Sequence, residues 1–213
     1  MTARSHDQLG RGFYAILDLE ACGSRPILDV ATALLSVHPV AIQVRAKRQS
    51  ARELYETTLA IKSLAVQARC PLIVNDRLDV ALAAGANGVH LGQDDLPLAH
   101  ARKLVPPNFS IGISTHAREE ARHAELGGAT LIGFGPIFAT RTKENPSPVQ
   151  GLLALAEVVS TVSIPVVAIG GITPSNARDV ARTGCAAATS IAGVLQSDDP
   201  ARAAAAIAAA FSR

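Results

Sequence analysis

The chain has 213 residues, 48% of them hydrophobic, which is enough for one substantial core and short for two ordinary domains. A formal charge of +2 supplies no long-range field toward nucleic acid or an anionic membrane, so neither partner is expected and any anion site has to be local. The three cysteines, Cys22, Cys70 and Cys185, lie far apart without C-x-x-C spacing, which argues against zinc or dithiol chemistry and reads as buried thiols in a reducing cytoplasm.

Residues 1–12 are polar, carry no apolar segment of signal-peptide type, and are expected as an N-terminal extension ahead of a domain over 13–213. No apolar run reaches the ~18 residues that a membrane span needs. The first strand is expected over Phe13–Leu19 and a helix over Ile27–Val37. A second strand, Val40–Val44, leads to a helix over Ala51–Ala68, whose start at Ser50 with Glu53 three residues on has the form of a capping box. Strand and helix then alternate through Leu72–Asn75, Leu78–Ala84, Gly88–Leu91, Pro97–Leu104, Ser110–Ser114, Ala117–Leu126, Thr130–Gly133 and Gly151–Val159. The last units are Pro165–Ile169, a helix Ser175–Arg182 opening at Thr173-Pro174, a strand Ala187–Ile191 and a helix Pro200–Phe211. Gly85, Gly127 and Gly184 follow helices, where a left-handed residue is least costly as glycine. Most of these strands are apolar throughout, as strands buried on both faces are. Eight βα units without a linker predict an α/β fold, a single TIM (β/α)8 barrel, with an open doubly wound sheet as the alternative. A barrel places the active site at the C-terminal ends of the strands.

Polar residues gather at those ends. Gln43, Arg45 and Lys47 alternate onto one face of the second strand, and a guanidinium beside an ammonium suits a phosphate or diphosphate. Asp76 and Asp95 follow the third and fourth strands. They make a pair of hard oxygen ligands for magnesium bound jointly with substrate phosphate, although Asp94 or Asp95 is also placed to cap the next helix. After the sixth strand, Thr140, Thr142 and Lys143 read as a second anion clamp. Gly170-Gly171 and Ile191-Ala192-Gly193, after strands seven and eight, expose backbone amides at the usual phosphate position of barrels. His90 is expected as a hydrogen-bonded core residue, whereas His116 borders the mouth. No zinc-hydrolase or Ser/His/Asp pattern is present.

Taken in order, Gln43-Val44-Arg45-Ala46-Lys47, Asn75-Asp76-Arg77, Val89-His90-Leu91-Gly92-Gln93-Asp94-Asp95, Ile113-Ser114-Thr115-His116, Gly133-Phe134-Gly135-Pro136-Ile137-Phe138 with Thr140-Arg141-Thr142-Lys143, and Ala168-Ile169-Gly170-Gly171-Ile172 resemble the thiamine-phosphate synthase family. The resemblance implies a magnesium-dependent transferase that joins a hydroxymethylpyrimidine diphosphate to a thiazole phosphate. It implies that Gln43, Arg45, Lys47, Asn75, Ser114 and Lys143 hold the pyrimidine diphosphate, with Arg45, Lys47, Ser114 and Lys143 catalytic. Asp76 and Asp95 match the metal ligands, and Thr140, Arg141, Thr142, Gly171, Ile191 and Ala192 match positions around the thiazole phosphate. The chain departs from the family at Ala192, where a serine is usual. Two other readings stay open on the sequence alone, a thiazole tautomerase-like paralogue and a non-catalytic thiamine-phosphate-binding protein. A homo-oligomer is compatible with all three readings.

Overall fold

The computed structural model describes residues 9–140 and 147–212. Eight parallel strands close into a barrel in chain order: β1 (Gly12–Asp18), β2 (Ala41–Arg45), β3 (Leu72–Asn75), β4 (Gly88–Leu91), β5 (Ser110–Thr115), β6 (Leu131–Phe134), β7 (Val166–Ala168) and β8 (Ala187–Ala188). Closure runs through Gly12 and Phe13 of β1, which pair with Ala187 and Ala188 of β8. The sheet therefore has no edge, and the open alternative is excluded. Around it lie α1 (Ile27–Leu35), α2 (Ala51–Gln67), α3 (Leu78–Ala84), α4 (Leu98–Leu104), α5 (Arg118–Leu126), α6 (Gly151–Thr161), α7 (Ala177–Arg182), a one-turn α8 (Ala192–Leu195) and α9 (Pro200–Ala209).

The strands are apolar on both faces because one face fills the barrel and the other meets the helices. Leu17, Ile42, Leu72, Leu91, Ile111 and Ile132 are all fully buried, and each such side chain contributes about 1.5–3 kcal/mol relative to exposure. Local signals agree with this packing. Ser50 and Glu53 exchange hydrogen bonds as a complete capping box at the start of α2, and Gly85 ends α3 at φ 61°.

Among the boundaries that differ from expectation, three have identifiable reasons. Gly127 stays right-handed, with its amide bonded to the His123 carbonyl at 2.9 Å, and the left-handed turn falls on Gly128 at φ 89°. Thr173 does not start α7. Its amide bonds the Asn176 side chain at 2.8 Å, and the helix opens after that turn. Strand β8 stops at Ala188 rather than reaching Ile191. Beyond it, the Ser190 hydroxyl donates to the Ile172 carbonyl at 2.5 Å, and the chain winds into α8.

Candidate active site at the barrel mouth

Strand register and the period of two place Asp18, Gln43, Arg45, Asn75, His90 and Ser114 on one face of the sheet, the barrel interior. Three contacts between neighbouring strands follow from that shared face. Gln43 Nε2 donates to the Tyr14 hydroxyl at 3.0 Å, deep in the barrel, where burial pushes the Tyr14 phenol well above its ordinary value. Arg45 pairs with Asp18, whose side chain is only 3% exposed. Ser114 Oγ lies 3.0 Å from His90 Nε2. The His90 ring fits there because its neighbours across β5 and β6 are Gly112 and Gly133, where a methyl group would press on the imidazole.

At the exits of β2, β3 and β4 the ionic groups converge. Lys47, half exposed, pairs with Asp76. Asp76 itself takes a left-handed backbone at φ 61°, a conformation that aspartate tolerates better than most residues, while its amide donates to the His90 carbonyl at 2.8 Å. Asp95 does not cap α4, whose N-cap is Pro97; its Oδ2 accepts the Gly92 amide at 2.6 Å instead. Burial raises the Asp95 carboxyl above the ordinary carboxylate range. The Gly92 amide opposes that shift, and the Asp76 carboxylate adds to it. Two carboxylates that disfavour each other's charge are a donor set suited to a hard divalent cation, which relieves their repulsion. Among the described residues no cluster of three or more metal-ligating side chains occurs, so the remaining positions around such a cation fall to water and substrate oxygen.

The far side of the mouth is built from glycine-rich loops. Ile137 and Phe138 after β6 donate to Ile169 and Gly170 after β7 at 2.9 and 3.0 Å. The approach is so close that a methyl group on Gly171 would sit 2.5 Å from the Ala139 carbonyl oxygen, at a backbone φ of 63° that already favours glycine. Thr140 ends this described stretch, and Arg141, Thr142 and Lys143 lie outside the described residues. Ile191 and Ala192 stand at the start of α8, where the Ala192 and Gly193 amides precede the first helical hydrogen bond, from the Val194 amide to the Ile191 carbonyl at 3.2 Å. His116, at the exit of β5, shares a hydrogen bond with the Gly135 carbonyl at 2.6 Å and ties β5 to the β6 loop.

Sequence reasoning missed Asp18 and Glu20. Asp18 lies inside the expected first strand without being read as a site residue, yet it faces Arg45 directly in the β1–β2 register. Glu20 Oε1 accepts the amides of Lys47 and Arg48 at 2.9 and 3.1 Å. Burial alone would raise the Glu20 carboxyl, but those amides outweigh it and hold it below its ordinary value. The one signal available was alternation along β1, which puts Tyr14, Ile16 and Asp18 on a single face.

A closed (β/α)8 barrel with a polar mouth is the architecture of barrel enzymes, which place their active sites at the C-terminal ends of the strands. A family model described as thiamine monophosphate synthase matches residues 13–194. The thiamine-phosphate synthase of Anaeromyxobacter dehalogenans is 47% identical over 200 residues, covering 94% of this chain and 87% of that one. That of Chlorobium phaeovibrioides is 50% identical over 159 residues, covering 75% and 76%. Among solved structures, a thiamine phosphate pyrophosphorylase from Pyrococcus furiosus superposes with a TM-score of 0.87 at 35% identity, covering 98% of both chains. The chain belongs to the thiamine-phosphate synthase family and is a transferase of thiamine biosynthesis.

Proposed function

We propose that the chain condenses 4-amino-2-methyl-5-hydroxymethylpyrimidine diphosphate with thiazole phosphate, giving thiamine phosphate and diphosphate, or with its carboxylated form, which gives the same products and carbon dioxide. The observation that carries the reading is the ionic cluster at the exits of β1 to β4. Asp18, Glu20, Asp76 and Asp95 there outnumber Arg45 and Lys47, so a diphosphate approaching this half of the mouth needs further positive charge. Magnesium held by Asp76 and Asp95 would supply that charge and act as a Lewis acid on the leaving diphosphate.

The chain's own residues do the rest. Gln43, Asn75 and Ser114 orient the pyrimidine diphosphate, with Ser114 held by the His90 ring. The bond from the pyrimidine methylene to the diphosphate oxygen breaks with its electron pair going to oxygen, and the aminopyrimidine ring delocalises the resulting cation. Arg45, Lys47 and Lys143 stabilise the departing charge, which is where preorganised cations lower the barrier most. The thiazole nitrogen then forms the new bond to carbon, so no serine or cysteine nucleophile is required. Thr140, Arg141 and Thr142 with the backbone at Gly171, Ile191 and Ala192 hold the thiazole phosphate and aim that nitrogen.

Turnover of the two substrates, with and without magnesium, tests the reading. Magnesium-dependent release of diphosphate together with thiamine phosphate is expected. Rearrangement of the thiazole alone would favour a tautomerase, and binding without turnover a non-catalytic protein.

A further inference from the structure

The end of β1 and the loop leaving it supply no ligand to the reaction as proposed, yet they hold the Arg45 side chain and the backbone that carries Lys47. Asp18 pairs with Arg45 and its Oδ1 also accepts the Ala21 amide at 2.9 Å, so a buried carboxylate is fixed at one end by its own turn and at the other by the guanidinium. The Leu19 amide bonds the Arg45 carbonyl at 2.9 Å, joining the two strand exits through the backbone as well. Two residues on, Glu20 binds the backbone amides of Lys47 and Arg48, which sets the path of the chain that carries the Lys47 side chain.

We propose that Asp18 and Glu20 are positioning residues, a template on β1 that presets Arg45 and Lys47 for the diphosphate. The inference rests on the substrate reading above. Its physical content is that a guanidinium serves as a planar fork only when its plane is fixed, because an unrestrained arginine loses side-chain entropy on binding. Asp18 holds Arg45 through Nη1, and the buried position of the carboxylate leaves the guanidinium, at 15% side-chain exposure, little freedom to turn. Glu20 performs the same service for the β2 exit through main-chain bonds, from an exposed position that leaves the core untouched.

Coulomb's law and the template make opposite predictions for one substitution. Asp18→Asn removes a negative charge next to an anion site, so electrostatics alone demands tighter diphosphate binding. The template demands weaker binding, since a neutral amide no longer fixes the guanidinium. Calorimetric titration of the full chain with magnesium diphosphate is expected to show roughly tenfold weaker binding in Asp18→Asn and a smaller loss in Glu20→Gln. Steady-state kinetics should show a matching rise in KM for the pyrimidine diphosphate, with KM for thiazole phosphate unchanged. Asp18→Glu, which keeps the charge, should recover part of the loss.

Unchanged or tighter binding in both variants overturns the inference, and so does an equal loss toward both substrates, which marks a merely structural role. If Asp18→Asn does not fold, Glu20→Gln decides alone by the same two readouts. The two readings fail separately. Wild-type turnover with unaffected variants sinks the template and leaves the reaction standing, whereas weakened diphosphate binding in the variants of a chain that makes no thiamine phosphate does the reverse.

Discussion

Asp76 combines a left-handed backbone, an ion pair with Lys47 and a carboxylate neighbour in Asp95. The left-handed backbone and the like-charged neighbour cost stability, which the Lys47 pair offsets in part, and strain of this kind persists where a ligand uses it. Asparagine tolerates the same backbone, so Asp76→Asn removes the charge without adding steric strain. At limiting magnesium, Asp76→Asn and Asp95→Asn are each expected to lower kcat/KM by roughly a hundredfold or more, the order lost when one group stabilising developing charge is removed. Circular dichroism should be unchanged. Near-normal turnover in both variants would rule out the metal site. That Arg45, Lys47, Asp76 and Asp95 stand at strand exits was legible in the sequence because each lies within a few residues of the end of an apolar run. Their ion pairs were not legible, since Asp18 meets Arg45 and Lys47 meets Asp76 across strands, and local pattern carries no information on register.

At the level of elements, the loops after β6, β7 and β8 lock together through glycine, and in the reaction as proposed their fit would decide where the second phosphate sits. Gly171→Ala forces a methyl group toward the Ala139 carbonyl and the Phe138 side chain at a positive φ. It is expected to cost about 1–3 kcal/mol of stability and to raise KM for thiazole phosphate, with little change for the pyrimidine diphosphate. Equal thermal stability in variant and parent would show that the loops part easily. Ala192, in the first turn of α8, belongs to the thiazole-phosphate site as proposed above. Ala192→Ser supplies a hydroxyl donor and should lower KM for thiazole phosphate several-fold, since one added hydrogen bond is worth about 0.5–1.5 kcal/mol. Equal effects on both substrates would place the second phosphate elsewhere. Sequence pattern gave β8 an end at Ile191 because Thr189, Ser190 and Ile191 suit a strand. What overrode it was tertiary: the Ser190 hydroxyl reaching Ile172 turns the chain and lets the following residues coil.

Across the whole molecule, the barrel was the most legible feature, because eight runs buried on both faces alternate with amphipathic helices and leave few other ways to cover a sheet. Closure also fixes the environment of the thiols, which sit at separate places: Cys22 beyond β1, Cys70 before β3 and Cys185 before β8, all buried and free of disulfides. Burial pushes Cys22 up from 9.0 to about 11 and Cys70 up to about 12, with Cys185 raised in the same direction. The folded state therefore keeps these protons at a pH where the unfolded chain has released them. Since the unfolded state then binds fewer protons than the native one, stability must fall as pH rises above the unfolded thiol value and cannot rise. Urea denaturation at a series of pH values is expected to show stability declining above about pH 9, by about 1 kcal/mol per raised thiol at half a unit beyond it. Below pH 10 the Tyr14 phenol, whose ordinary value is 10.0, adds little to that slope. A Cys22→Ala/Cys70→Ala variant should lose a little stability to cavities and most of the decline with it. A slope that persists undiminished in that variant would mean that these thiols are solvated in the native state and that the barrel is looser around them than its packing indicates.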